Sequence, residues 1–109
     1  MSTAPLDRDA VGPVLESGEA AGAVIAAIRE AHPQAQVIDR GAYLRVLVPG
    51  RCTVTRASIE RHARGPFRLP SDLEKIMPSF KGRLTLSEDE ARWELGGDVR
   101  DERRKEERE

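Results

Sequence analysis

A chain of 109 residues that is 39 % hydrophobic, 4 % aromatic and 34 % charged makes one domain with a modest, aliphatic core. Its 18 basic and 19 acidic residues leave a formal charge of -1, which removes the electrostatic reason to expect nucleic acid or an anionic membrane as a partner. A single cysteine, Cys52, excludes an internal disulfide and a cysteine-rich metal site, and one unpaired thiol suits a reducing compartment.

The first ten residues, MSTAPLDRDA, are small, polar and aperiodic, and read as a flexible arm over 1–10 rather than a secretory signal. No segment approaches the length of a membrane span, so the protein is expected in the cytoplasm. Val11-Gly12-Pro13-Val14-Leu15 is the first apolar run. It predicts a short strand, and Pro13, which cannot donate to a ladder, suits an edge position. Ser17 is placed to cap a helix over about 18–31, with Glu19 in its first turn and Ala21, Val24, Ile25 and Ile28 on one face. Pro33 stops it.

Residues 36–40 predict a second strand, and Gly41 a tight turn. From Tyr43 the chain alternates, with Leu44, Val46 and Val48 on one side and Tyr43, Arg45 and Leu47 on the other. Pro49-Gly50 signals a turn, after which Cys52 and Val54 face inward, so 43–55 reads as a hairpin. Thr55 is placed to cap a helix that turns Ile59 and Ala63 to the core and stops at Gly65-Pro66. Ser71 and Glu74 have capping-box spacing for a third, short helix that ends at Pro78, with Leu73, Ile76 and Met77 inward. Leu84 and Leu86 mark a further strand, and Ala91, Trp93 and Leu95 the last, closed by Gly96-Gly97. Residues 98–109 hold five basic and six acidic side chains with no apolar face, and read as a solvated tail. The expected order is β-α-β-β-β-α-α-β-β: an α+β domain over 11–97, a mainly antiparallel sheet with about three helices.

Catalytic chemistry has little to stand on. His32 and His62 lie thirty residues apart, and neither has a His or Cys at metal-ligand spacing. Cys52 alternates with Val54 on the inner side of a strand, the place of a core thiol. Gly12, Gly18 and Gly22 are scattered and form no phosphate cradle. The carboxylates fall mostly at turns and helix starts, where capping accounts for them. Arg40, Arg45, Arg51 and Arg56 flank the expected hairpin without interleaved aromatics, a weak nucleic-acid signal. What remains is a small domain whose assets are surfaces, which points to protein binding. A small ligand-binding domain or enzyme on the same α+β scaffold is the alternative.

Three stretches in one register carry a resemblance: VGPVL at 11–15, DRGAYLRV at 39–46, and RGPF followed by DLEKIMPSFKGRL within 64–84. They resemble the effector, or coupling, proteins of bacterial multicomponent diiron monooxygenases. The likeness is nearest to the toluene and alkene monooxygenase branch; the phenol hydroxylase and methane monooxygenase regulatory proteins are more distant relatives. The resemblance implies a non-catalytic protein with no cofactor and no metal, monomeric when free. Such a protein binds a diiron hydroxylase and tunes its active site, so that oxygen activation and electron transfer are coupled to oxidation of an arene or alkene. In the methane branch the loop matching Pro78, Ser79 and Phe80 is implicated in partner contact, and the resemblance extends that role to these three residues. Lys81, Tyr43 and Arg45 are expected beside them on the docking face. The residues alone leave a second possibility open, a helix stop with Phe80 tucked into the core.

Overall fold

The computed structural model describes residues 9–95. Among these, seven strands and three helices run in the order β1 (Ala10–Glu16), α1 (Glu19–Ala31), β2 (Gln36–Asp39), β3 (Tyr43–Pro49), β4 (Arg51–Thr55), α2 (Arg56–Ala63), α3 (Ser71–Ile76), β5 (Ser79–Lys81), β6 (Arg83–Leu86) and β7 (Glu90–Glu94). The α+β class and all nine expected elements are present, and β5 is an addition. The charged tail and most of the arm lie outside the described residues. Ala10, assigned to the arm, is instead the fully buried first residue of β1. No described helix is long and apolar enough to cross a membrane.

The strands form two antiparallel sheets, β2-β3-β1-β5 and β4-β7-β6. This overturns the expected 43–55 hairpin. Both strands exist, but β3 pairs with β1 and β2, whereas β4 pairs with β7 in the other sheet. Pro49-Gly50 is a crossing point rather than a hairpin turn. Gly50, at φ 78°, donates its N–H to Asp9 O (2.9 Å) and accepts from Leu95 N–H (3.3 Å), so the corner is tied to both ends of the described chain. Alternation in β3 is accordingly incomplete: Val46, Leu47 and Val48 are all buried, so both faces are covered where the strand leaves its sheet.

Pro13 does not mark an edge. β1 lies between β3 and β5. The strand tolerates a proline because its ladder to β3 is interrupted there: Val11 faces Val48 and Val14 faces Arg45, with no β3 partner at Gly12 or Pro13. The chain comes so close at this point that a Cβ on Gly12, whose φ is 149°, would collide with Val46 O.

Local chemistry sets most helix ends, though not always as the spacing suggests. Thr55 caps α2 as expected, its Oγ1 accepting from Ser58 N–H (3.1 Å). Ser17 does not cap α1. Its hydroxyl donates to Gly41 O (2.6 Å) and its N–H to Ala42 O (2.9 Å), so it fastens the β2–β3 turn, and Gly18 holds the N-cap position without a side-chain bond. The Ser71–Glu74 capping box is also absent. Pro70 is the N-cap of α3, and Asp72 reaches back to accept from Arg68 N–H (2.8 Å). That bond, with Lys75 nearby, holds the Asp72 carboxyl below its usual range.

The core lies between the helices and one face of both sheets. Val11 and Leu15, Val46 and Val48, Cys52 and Val54, and Ala91 and Trp93 meet Val24, Ile25 and Ile28 of α1, with Ile59, Phe67, Leu69, Leu73 and Met77. Each fully buried Leu, Ile or Val contributes about 1.5–3 kcal/mol of transfer free energy. Ala63 and Leu95, expected inside, are exposed. Ala63 ends a two-turn helix whose burial is limited to Ser58 and Ile59, and Leu95 lies just past the end of β7. Cys52 is the anticipated core thiol, fully buried, and burial pushes it up to about 12.

Candidate docking surface

One face of the β2-β3-β1-β5 sheet meets the core, and the other is largely uncovered. Directly opposed residues in a ladder share a face. Register therefore places Glu16 with Tyr43, Val14 with Arg45, Arg45 with Ile38, and Val14 with Ser79 on the outer side. Glu16, Tyr43 and Ser79 are exposed there, while Val14, Arg45 and Ile38 are half-buried.

A groove of about 420 Å³ opens on this face, lined by Gly12, Val14, Arg40, Tyr43, Arg45, Ser79, Phe80 and Lys81. Five of the six expected partner-binding residues thus come together: Tyr43, Arg45, Ser79, Phe80 and Lys81. Pro78 is exposed but does not line the groove; it follows Met77, the C-cap of α3, and leads the chain into β5. Arg40, which the sequence offered only as part of a weak basic cluster, joins them.

The reason for the convergence is the pairing of β5. Ser79-Phe80-Lys81, read from sequence as a loop, is a three-residue strand along β1, with Ser79 opposite Val14 and Lys81 opposite Gly12. β1 bridges it to β3, which carries Tyr43 and Arg45 at every-second-residue spacing on one face. Gly82, at φ 107°, makes the exit from β5, where a Cβ would lie 2.8 Å from Val11 Cγ1 and 2.9 Å from Glu94 O.

The exposure of Phe80 speaks against a ring tucked into the core. Phe80 is 43 % exposed, as is Tyr43; with Leu95 they are the exposed large hydrophobic residues of the described chain. Phe80 opposes Pro13, on the other side of β5 from Ser79 and Lys81, and lines the groove from the edge of the sheet.

The histidines lie elsewhere and serve the fold. His32 Nε2 accepts from Thr53 N–H (3.0 Å), satisfying a backbone donor of β4. His62 lies 3.5 Å from Glu30 Oε1, within a cluster that joins α1 to α2. There Arg61 grips both Glu30 oxygens at 3.0 Å, and Ser58 Oγ donates to Oε1 (2.9 Å). The Arg61 guanidinium, then the Ser58 hydroxyl, lower the Glu30 carboxyl to about 2. Among the described residues no three of His, Cys, Asp and Glu gather as a metal site requires. The arrangement offers a patterned surface, not an acid–base pair.

Known proteins share this chain's features. The MmoB/DmpM family model matches residues 9–94. The effector subunit of the alkene monooxygenase system of Xanthobacter autotrophicus is 42 % identical over 90 residues, covering 81 % of this chain and 88 % of that protein. In the solved structures, a chain of the phenol hydroxylase–regulatory protein complex superposes with a TM-score of 0.70 at 16 % identity, covering 80 % of this chain and 98 % of that one; at that identity the likeness speaks for the fold. With a family match over nearly all the described residues and close identity to an effector subunit, this chain belongs to the MmoB/DmpM family.

Proposed function

We propose that this protein is the effector component of a cytoplasmic multicomponent monooxygenase, and that it docks on a diiron hydroxylase through the groove between β3, β1 and β5. The observation that carries this reading is a groove lined by two exposed aromatic residues, Tyr43 on β3 and Phe80 on the edge strand β5, in a chain 42 % identical to an alkene monooxygenase effector subunit. The protein contributes no reacting group. It acts through binding free energy, favouring the hydroxylase conformation in which oxygen activation is coupled to oxidation of an arene or alkene. A differential affinity of about 1–3 kcal/mol between two hydroxylase states shifts their ratio roughly 5- to 150-fold. A stable complex buries about 800 Å² on each partner, so the contact extends from the groove onto the surrounding strands.

Reconstitution tests the reading. Added to its hydroxylase, reductase and ferredoxin, the protein is expected to raise the product formed per NADH consumed, while having no oxygenase activity alone. Unchanged rate and coupling across a full titration would exclude an effector role.

A further inference from the structure

Resting on that docking reading, we propose that the groove recognises a carboxylate-bearing segment of the hydroxylase, with Arg40 and Arg45 as the residues that pair with its acidic side chains. The lining of the groove contains two arginines, Arg40 and Arg45, and among the described residues no Asp or Glu. Elsewhere the protein balances many of its cations internally: Arg51 with Glu94 at 3.2 Å, Arg61 with Glu30 at 3.0 Å, Lys75 with Asp72 at 3.6 Å. Among the described residues no ion pair involves Arg40 or Arg45. The two carboxylates nearest along these strands do not enter the groove. Asp39 accepts from Gly41 N–H (2.8 Å) within the turn, and Glu16 lies across from Tyr43 outside the lining.

Arg45 is held for such a contact. It sits on β3 between Val14 of β1 and Ile38 of β2, all three half-buried, so its stem lies on apolar neighbours. A strand flanked on both sides restricts the side chain, which lowers the entropy lost on pairing, and the partial burial strengthens the attraction. The planar guanidinium fork fits a carboxylate at two points. Tyr43, two residues away on the same face, and Phe80 line the same groove, so the matching surface is an acidic segment with an adjacent apolar side chain.

Binding of the labelled protein to the hydroxylase, measured at low and high salt, tests this. Arg45→Glu and Arg40→Glu are each expected to weaken binding about tenfold at low salt, and the double variant to lose most of the salt dependence. Arg45→Gln, which keeps much of the stem and removes only the charge, should still show part of the loss even where the charge reversal perturbs the fold; wild-type binding by a folded Arg45→Gln would count against the inference. Phe80→Ala should weaken binding while leaving the salt dependence intact. Arg83→Glu on β6, in the other sheet, makes the same change in net charge and should leave affinity unaltered. If the arginine variants bind like wild type while Phe80→Ala does not, carboxylate recognition is overturned and docking through the groove stands. If Arg83→Glu is as damaging as Arg45→Glu, the effect belongs to net charge and the inference also falls. If neither the aromatic nor the arginine substitutions change binding, the docking reading fails with it.

Discussion

Gly12 shows how one residue holds two sheet neighbours in place. Its φ of 149° suits glycine, and its hydrogen faces Val46 O where a methyl group would not fit. Gly12→Ala must push β1 from β3 or bend the strand, and is expected to cost about 3 kcal/mol by urea denaturation. Because Gly12 also faces Lys81 on β5, the substitution should disturb the groove lining, visible as backbone amide shifts at 79–81. A stability loss below about 0.5 kcal/mol would show that the close approach relaxes freely. The same residue illustrates what spacing conceals. In sequence Gly12 is one of several scattered glycines, and only the opposing carbonyl makes it special. Pro13 carries a similar lesson: its missing donor suggested an edge, yet an interrupted ladder accommodates it equally well.

At the scale of elements, the joint between α1 and α2 depends on charge. Glu30 is lowered to about 2 from its ordinary 4.5, through Arg61 and then Ser58. A carboxyl depressed in the folded state contributes stability that is fully present above its unfolded value and is lost as pH falls through the folded value. The contribution is therefore complete above about pH 4.5 and disappears towards pH 2. Glu30→Gln is expected to be less stable than wild type at neutral pH, with the gap closing steadily on acidification across that window. A gap of constant size down to about pH 2.5 would mean that the bonds of Ser58 and Arg61, rather than the charge, hold the helices together. This joint was not visible in the pattern of residues. Glu30 and Arg29 simply fell on the polar face of α1, and Arg61 is 31 positions away. The elements themselves were legible, because hydrophobic period, prolines and the Thr55 cap are local signals. Their partners were not: β3 and β4 follow one another across Pro49-Gly50 with the marks of a hairpin, but β3 pairs with β1 and β2 while β4 pairs with β7.

For the whole molecule, the question is whether the exposed face works as an interface. Phe80→Ala and Tyr43→Ala remove rings that are 43 % exposed, so their effect on folding should be within about 0.5 kcal/mol. Both are expected to raise the concentration of protein needed for half-maximal coupling by about tenfold, a loss on the scale of an interface hot spot. Unchanged half-saturation for both variants would move the docking surface off this groove.

Sequence alone determined the class, the succession of elements and the family resemblance, because these rest on local periodicity and on motifs contiguous in the chain. It also singled out Tyr43, Arg45, Ser79, Phe80 and Lys81, although in two separate stretches. Tertiary structure decided that they form one surface. The pairing of β5 with β1 was invisible in a segment that read as a loop, since three residues carry too little alternation to signal a strand. It also decided that Phe80 faces water instead of the core, and that Arg40 stands beside it. Pairing and exposure depend on which surfaces meet across distant parts of the chain, and no local pattern encodes that choice.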